Sequence, residues 1–190
     1  MTAFTATSRK EEFAGKIISV SVDQVVLPNG VTVDLEIIHH PGGAGVVALD
    51  AAKRVCLLRQ YRYAAGEWLW ELPAGKIDDL EPHANTAHRE LLEEAGVTAK
   101  TWRSLGQMVS SPGVFTERVY LYLATDLSLG ADQRDADEVF EIHWVAFDEA
   151  LTMALDGRIS DAKTVIGLLR AAAVKDAPLP PLTPTTAATL

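Results

Sequence analysis

The segment from Pro82 to Gly96 carries the clearest helix signal in the chain, and it constrains the fold more than any other feature. Pro82 suits a first helical position and Gly96 suits the residue just past a helix end. At about 100° per residue, small and apolar side chains fall on one arc and three glutamates on roughly the opposite arc. The apolar set is Ala84, Ala87, Leu91 and Ala95, and the acidic set is Glu90, Glu93 and Glu94. The pattern therefore predicts a helix with a core face and a carboxylate face.

The placement of these three glutamates is unfavourable for a helix selected for stability alone. Their spacings of three and four residues make them neighbours that repel one another. They also lie in the last turn, where the helix dipole disfavours negative charge. A divalent cation would remove both penalties, because carboxylate oxygens are its preferred ligands. Arg89 lies beside Glu90 and four residues before Glu93, so we expect it to hold one carboxylate by a salt bridge. A solvated acidic face is the alternative interpretation.

Strand signals lie on both sides of this helix. Strands are predicted over residues 16–27, 31–39, 45–49, 54–61, 67–72, 102–109, 118–125 and 139–146, and further helices over 147–155 and 161–174. Strands mixed with a few helices indicate an α/β sandwich with a mixed sheet. The last stretch, 176–190, is rich in proline, threonine and alanine, and we expect a flexible tail there.

Charge and composition exclude several classes of protein. The net charge of −9 argues against nucleic acid as the main partner, because such binding relies on clustered lysine and arginine. No apolar run approaches the roughly 20 residues that span a bilayer, and residues 1–13 lack the apolar stretch of a signal peptide. We therefore expect no membrane association and a cytoplasmic location. The single cysteine, Cys56, lies in an apolar run and is interpreted as a buried strand residue rather than a nucleophile.

The acidic helix belongs to a longer pattern of fixed residues. These are Gly75, Glu81, Arg89, Glu90, Glu93, Glu94 and Gly96, with Leu91 and Val97 at aliphatic positions. The pattern matches, without a departure, the signature of the Nudix hydrolases, Gly-x5-Glu-x7-Arg-Glu-U-x-Glu-Glu-x-Gly-U, in which U is a bulky aliphatic residue. Seven such identities would arise by chance on the order of once in 10⁸ trials. The chain therefore resembles the Nudix family.

This resemblance implies a Nudix-type α/β/α sandwich and a loop–helix–loop that binds Mg²⁺, or alternatively Mn²⁺. Carried over by position, Glu90 and Glu94 would be direct metal ligands, and the backbone carbonyl of Ala74 a further ligand. Glu93 would be a metal ligand or would orient the attacking water. Arg89 would be a further catalytic residue. The metal would neutralise the phosphates and lower the pKa of a bound water, which a carboxylate base directs at phosphorus. Glu81 would have a structural role, and Gly75 would permit a tight turn.

Segments outside the motif are similar to the ADP-ribose pyrophosphatase subfamily. They are residues 58–63 (LRQYRY), residues 70–75 (WELPAG) and residues 161–164 (DAKT). Pro112, sixteen residues beyond Gly96, matches a hallmark proline of that subfamily. The resemblance therefore implies a small-molecule nucleoside-diphosphate substrate, namely ADP-ribose, cleaved to AMP and ribose 5-phosphate.

Four residues are expected to contact the substrate. They are Arg62, Trp70, Pro112 and Glu117. Arg62 is expected to bind the diphosphate through a bidentate contact, with a surface charge as its alternative role. Trp70 is expected to stack on adenine, a role for which Tyr61, Tyr63 and Trp68 are also candidates. Alternation in this segment directs one set of tryptophans inward, so at least one of them is expected in the core.

The catalytic base of that subfamily often lies outside the motif, on a loop before a late strand. The matching region contains Asp132, Asp135, Asp137 and Glu138. Glu138 is the first choice and Asp137 the second, and a solvated acidic loop is the alternative.

The resemblance also implies a homodimer with an exchanged N-terminal sheet. Residues 1–43 form an N-terminal antiparallel strand region and are the expected dimerisation element. Residues 44–175 are the expected catalytic domain, and residues 176–190 are the flexible tail.

Two rival interpretations stay open. In the first, the enzyme cleaves another nucleotide sugar or a dinucleotide, such as GDP-mannose or NADH, with the same metal site. In the second, the chain is a non-catalytic module that binds nucleotides. Such modules usually lose motif glutamates, whereas this chain keeps Glu90, Glu93 and Glu94.

Overall fold

The computed structural model describes residue 4 and residues 6–79, 81–130 and 139–174. Within these ranges the chain divides into two compact units. The first contains the residues up to Gly42 and the segment Val109–Arg118, and the second contains Gly43–Met108 and the residues from Val119 onward. None of the helices in the described ranges is long and apolar enough to cross a membrane.

The first unit is built on a three-stranded antiparallel sheet. Its strands are β1 (Ala6–Ala14), β2 (Ser19–Val26) and β3 (Thr32–His39), in the order β1-β2-β3. Strands β2 and β3 lie within the predicted ranges. Strand β1 was not predicted, because it is polar and exposed along its whole length and shows no alternation of apolar residues. It is held by pairing with β2 rather than by burial of its own side chains.

The second unit contains two sheets. Its strands are β4 (Gly43–Ala48), β5 (Arg54–Arg62), β6 (Glu67–Glu71), β7 (Ala74–Lys76), β8 (Val97–Val109), β9 (Arg118–Leu129) and β10 (Phe140–Ala146). One sheet has the order β7-β4-β9-β8, and the other has the order β10-β5-β6. Strand β4 is antiparallel to β7 and parallel to β9, so the first sheet is mixed, as predicted. The second sheet is antiparallel.

Three helices in the described ranges cover these sheets. They are α1 (His83–Ala95), α2 (Phe147–Leu155) and α3 (Ala162–Ala173). Helix α1 packs against β4 and β7, whereas α2 and α3 pack together and against β4, β5, β6 and β10. Gly96 ends α1 in the left-handed conformation with φ 64°, as predicted, and Pro82 caps its start rather than forming its first residue.

Consecutive residues of β4 face two separate cores, because side chains alternate across a strand. Val46 packs with Leu91 of α1, and Val47 packs with Phe147 of α2 and Leu168 of α3. The sheets are therefore covered by helices on both sides, which confirms the predicted α/β/α sandwich. The carboxylate helix α1 lies on one side of this sandwich, and the C-terminal helices lie on the other.

Candidate active site

Two of the three helix glutamates are buried. Glu90 is 7% exposed and Glu94 is 5% exposed, whereas the side chain of Glu93 is 39% exposed. A solvated acidic face is therefore wrong for Glu90 and Glu94. Both side chains point toward the short strand β7, and a buried carboxylate needs partners that offset its desolvation.

Strand β7 supplies contacts to both buried carboxylates. The backbone N–H of Ala74 donates to Glu94 Oε2 over 2.7 Å. An ideal Cβ built on Gly75 would lie 1.9 Å from Glu90 Oε1, so the Glu90 carboxylate occupies the space that a side chain would need. Gly75 lies in a strand, and its φ is not positive. Glycine is thus required at position 75 because the Glu90 carboxylate approaches its Cα closely. The prediction that Gly75 permits a tight turn is wrong.

The guanidinium of Arg89 connects the acidic residues of the motif. Its Nη1 donates to Glu90 Oε1 (2.7 Å) and to Glu93 Oε2 (3.0 Å). Its Nη2 donates to Glu81 Oε2 (3.1 Å) and to the carbonyl oxygen of Lys76 (3.2 Å). The predicted salt bridge is present, and Arg89 is hydrogen-bonded to three carboxylates rather than one, while the carboxylate of Asp78 lies 3.8 Å away.

The charges around Arg89 shift its pKa and that of Glu81. Burial acts to lower the pKa of Arg89, but the hydrogen bonds to Glu81, Glu90 and Glu93 and the charge of Glu90 raise it overall. The hydrogen bond from Arg89 lowers the pKa of Glu81, and a second one comes from the Thr86 hydroxyl over 2.8 Å. Arg89 therefore stays charged and Glu81 stays ionised, which fits the structural role expected for Glu81.

The donor set fits a hard divalent cation. Glu90, Glu94 and the segment at Ala74 offer only oxygen ligands, and Gly75 keeps the Glu90 carboxylate close to the strand. In the described part of the chain, no three histidine, cysteine or acidic side chains form a ready-made metal cluster. That finding fits the contacts seen here, because Arg89 binds Glu90 and Glu93 while the Ala74 N–H binds Glu94. Carboxylates and a backbone carbonyl together would hold the ion.

A second charged cluster, not anticipated from the sequence, surrounds Glu71. This carboxylate is 2% exposed. Arg62 binds it in a bidentate manner, with Nε donating to Oε1 over 2.6 Å and Nη2 donating to Oε2 over 2.8 Å. Lys163 of α3 donates to the same carboxylate. Burial acts to raise the pKa of Glu71, but the partners Arg62 and Lys163 lower it to about 2. The only sequence signals were the similarity at residues 161–164 and a charge next to apolar residues at the end of β6.

Arg62 therefore already has a carboxylate partner in this structure. Its pKa is raised first by the hydrogen bond to Glu71 and also by the charge of Glu94, which indicates that Arg62 lies within electrostatic range of the motif carboxylates. The expected contact between Arg62 and a diphosphate stays a prediction. Such a contact would either replace the bidentate salt bridge between Arg62 and Glu71 or be made in addition to it.

Trp70 lies on the other face of the β10-β5-β6 sheet. The register pairs Trp70 with Arg59 and Glu71 with Leu58, so Trp70 and Glu71 face opposite sides. Trp70 packs against the core beneath α2 and α3, contacts the ring of His143 edge-on at 4.9 Å, and lies 5.2 Å below the guanidinium of Arg59. The structure does not bring Trp70 to the face that carries Arg62, so its contact with adenine stays a prediction.

The other adenine candidates from the sequence are more exposed. Tyr61 and Trp68 contact each other edge-on at 5.8 Å and share the face of Trp70. Tyr63 follows β5 and is 92% exposed. The assignment of any of these three rings to adenine stays a prediction.

Pro112 and Glu117 belong to the first unit. Pro112 is exposed, in a turn after β8. Glu117 Oε1 lies 3.5 Å from His40 Nδ1, which accepts the backbone N–H of Gly42 over 3.0 Å. The predicted bases Glu138 and Asp137, and also Asp132 and Asp135, lie outside the described residues.

Cys56 is buried in β5, as predicted. Burial, and then the charge of Glu94, raise the pKa of its thiol to about 12. The thiolate is thus strongly disfavoured, which supports the interpretation of Cys56 as a buried strand residue.

Comparisons with known proteins identify one matching family model and several similar proteins. The family model of the NUDIX domain matches residues 39–166. The chain is 35% identical to an ADP-ribose pyrophosphatase of Bacillus subtilis, over 85% of this chain and 88% of the relative. It is 37% identical to a methanol dehydrogenase activator of Bacillus methanolicus, over 82% and 85%. It is 36% identical to an ADP-ribose pyrophosphatase of Mycobacterium tuberculosis, over 90% and 84%.

Among solved structures, a crystal structure of an ADP compounds hydrolase has a similar fold. The TM-score is 0.78, and the match covers 92% of this chain and 95% of the other chain at 19% sequence identity. At this identity the similarity concerns the fold alone.

Proposed function

The chain belongs to the Nudix family of hydrolases, and we propose that its substrate is ADP-ribose, cleaved to AMP and ribose 5-phosphate with Mg²⁺ as cofactor. The observation that carries this proposal is the pair of buried carboxylates, Glu90 and Glu94, held against Ala74 and Gly75. Two relatives named ADP-ribose pyrophosphatase, similar over most of the chain, support the choice of substrate. Mn²⁺ is the alternative metal.

Nudix hydrolases generally use divalent metal ions, and we propose that this chain binds one through oxygen ligands. Glu90, Glu94 and the carbonyl of Ala74 are its proposed ligands. When bound, it neutralises the diphosphate and lowers the pKa of the attacking water. The chain's own contribution is to hold these ligands in place, because Arg89 fixes Glu90 over 2.7 Å and the Ala74 N–H fixes Glu94 over 2.7 Å.

Proton transfer requires a carboxylate that water can reach. Within the motif, Glu93 is the most exposed of the three helix glutamates, and Arg89 orients it over 3.0 Å. We assign Glu93 either the orientation of the attacking water or a further metal contact. Glu138, outside the described residues, is the first candidate for the base that accepts the proton as the phosphorus–oxygen bond to the leaving phosphate breaks. Asp137 is the second.

Substrate recognition completes the proposal. Arg62 would neutralise the diphosphate, and its proximity to the charge of Glu94 favours that assignment. Trp70, Pro112 and Glu117 remain proposed contacts to the rest of the nucleotide. The assignment of Trp70 has the weakest support, because this ring packs on the core side of its sheet.

We also assign a homodimer to this enzyme, with residues 1–43 as the dimerisation element. Large apolar side chains in that region are exposed in the single chain, among them Phe13 (53%), Ile17 (54%) and Leu35 (39%). A second chain that pairs with this region would cover these side chains. Sedimentation equilibrium tests the assignment, because a mass of one chain at micromolar concentration would contradict it.

A substrate panel tests the proposed function. ADP-ribose, GDP-mannose, NADH and diadenosine polyphosphates are each incubated with Mg²⁺ or with EDTA, and the nucleoside monophosphate released is measured. We expect Mg²⁺-dependent release of AMP, fastest from ADP-ribose. A preference for another compound would keep the metal chemistry and reject the substrate. No hydrolysis of any compound, together with tight binding of ADP-ribose, would favour the binding module instead.

The second candidate function is cleavage of a different nucleoside-diphosphate compound. It is favoured by a relative named GDP-mannose pyrophosphatase, of Yersinia pestis, which is 33% identical to this chain over 69% of it and 71% of the relative. The proposed metal ligands are the same in both cases. Only the contacts to the base and sugar differ, so the relative rates within the panel separate the two candidates.

A further inference from the structure

The first turn of α3 is hydrogen-bonded to the backbone of Leu72, the first of the three residues that precede Gly75 in the proposed metal site. Thr164 is fully buried, and its hydroxyl oxygen accepts the backbone N–H of Leu72 over 2.8 Å. The same hydroxyl donates its only proton to Asp161 Oδ2 over 2.6 Å. Because the proton is engaged by Asp161, a lone pair of the oxygen is left to face Leu72. This contact joins residues 92 positions apart in the chain.

Neighbouring side chains of the same turn strengthen this contact. Asp161 caps the helix by accepting the N–H of Thr164 over 3.0 Å, so the carboxylate that orients the hydroxyl is itself fixed. Lys163 donates to Glu71, the residue immediately before Leu72, and lies 3.1 Å from Asp161. The turn therefore holds Glu71 through its side chain and Leu72 through its backbone.

Each of the three residues before Gly75 has a backbone group that is hydrogen-bonded to a different element. The N–H of Leu72 is bound by Thr164 of α3, the carbonyl of Pro73 accepts the N–H of Val46 in β4 (2.9 Å), and the N–H of Ala74 binds Glu94 of α1. Only the contact from α3 comes from a side chain outside the Nudix motif. It sets the position of Leu72, two residues before the carbonyl proposed as a metal ligand.

Helix α3 can approach this peptide closely because residue 167 is glycine. A Cβ at that position would lie 2.7 Å from Leu72 Cδ1 and 3.2 Å from Val47 Cγ2. The helix, the strand and the peptide thus pack without intervening space. A shift of Leu72 would consequently be passed on to Ala74 rather than absorbed by a gap.

We infer that Thr164 is a positioning residue for the metal site, acting through the Leu72–Ala74 peptide to set the Ala74 carbonyl and the Ala74 N–H contact to Glu94. The inference rests on the proposed function, because it takes Ala74 and Glu94 as ligands. Its physical basis is that changing a residue that orients metal ligands typically lowers metal affinity by about 10- to 100-fold. Replacing the hydroxyl by a methyl group leaves the buried Leu72 N–H without this acceptor, and the peptide must move to satisfy it.

The test measures Mn²⁺ binding to the full-length chain by electron paramagnetic resonance, without substrate. Thr164→Val keeps the shape of the side chain and removes the acceptor, and we expect its Mn²⁺ affinity to fall about 10- to 100-fold. Thr164→Ser keeps the hydroxyl and should bind Mn²⁺ like the wild type. Leu168→Val is the matched control, because Leu168 lies on the same helix, is fully buried and has no hydrogen bond to the peptide. It should reduce resistance to urea and leave Mn²⁺ affinity unchanged.

The outcomes separate this inference from the proposed function. A wild-type chain that binds no Mn²⁺ would overturn the proposed function and the inference with it. A wild type that binds Mn²⁺ and a Thr164→Val variant that binds it equally well would overturn the inference alone. If Thr164→Val does not fold, Thr164→Cys replaces it, because a thiol is a weaker acceptor than a hydroxyl and the two residues have similar volumes. The expected loss of affinity has the same direction, and its absence would again overturn the inference.

Discussion

The carboxylate of Glu90 occupies the space in which a side chain on Gly75 would begin. A Cβ at position 75 would lie 1.9 Å from Glu90 Oε1 and 2.1 Å from its Cδ. Gly75→Ala must therefore move the Glu90 carboxylate away from β7. We expect kcat to fall by about 10- to 100-fold or more, because the variant misplaces a proposed metal ligand. Urea unfolding should change little, since the displaced atoms are the end of a side chain.

A matched glycine provides the control for that substitution. Gly130 has no positive φ, and a Cβ there would meet only an ordinary contact of 3.5 Å with the carbonyl oxygen of Gly96. Gly130→Ala should keep both kcat and stability. Wild-type kcat in Gly75→Ala would show that the Glu90 position seen here is not needed for turnover.

Arg89 is expected to be irreplaceable by lysine. Its guanidinium contacts Glu81, Glu90 and Glu93 together, and an ammonium group has neither the planar fork nor the reach for three carboxylates. We expect Arg89→Lys to lower kcat/KM by about tenfold or more and the free energy of unfolding by about 1–3 kcal/mol. Arg54→Lys, which alters a half-exposed ion pair with Asp50, is the control and should change neither quantity. Full activity of Arg89→Lys would mean that positive charge alone suffices at this position.

Glu94→Gln separates the charge of Glu94 from its hydrogen bond. Glutamine keeps an oxygen for the Ala74 N–H, which donates over 2.7 Å, but it removes the negative charge that a divalent cation requires. We expect kcat to fall by orders of magnitude while the midpoint of urea unfolding stays close to that of the wild type. Steady-state kinetics and urea unfolding on the same preparation measure both effects. Near-normal activity in the folded variant would contradict the assignment of Glu94 as a metal ligand.

The sequence predicted features that depend on neighbours in the chain. The extent of α1, its end at Gly96 and the separation of the glutamates from Leu91 all follow from helical periodicity. The salt bridge of Arg89 follows from its spacing to Glu93, because residues four apart are adjacent on a helix. These contacts are local, so spacing alone determines them.

Features that depend on tertiary packing were not predictable in this way. The role of Gly75 depends on how closely α1 approaches β7, which no local pattern encodes. The burial of Glu71 depends on Lys163, which is 92 residues away in the chain. The face occupied by Trp70 depends on the register of β6 against β5, because a slip of one residue would reverse it. Alternation predicted that at least one tryptophan faces the core, but it did not say which.

The ion pairs of Glu71 should make stability depend on pH in the acidic range. Its pKa is lowered from 4.5 to about 2 in the folded chain, so the folded state holds this carboxylate ionised where the unfolded state protonates it. The resulting stabilisation is complete above about pH 4.5 and is lost as the pH falls toward about 2. It is on the order of 3 kcal/mol.

Glu71→Gln isolates this contribution, because it leaves Arg62 and Lys163 without their shared carboxylate. At pH 7 we expect the variant to be about 3–5 kcal/mol less stable than the wild type. The difference should shrink steadily between pH 5 and pH 3, since the wild type loses the interaction that the variant already lacks. Urea unfolding of both chains at pH 7, 5, 4 and 3 measures it. Glu141→Gln, at an exposed position of β10, is the control and should differ little from the wild type at pH 7. A difference between Glu71→Gln and the wild type that is as large at pH 3 as at pH 7 would show that its origin is packing rather than the charge of Glu71.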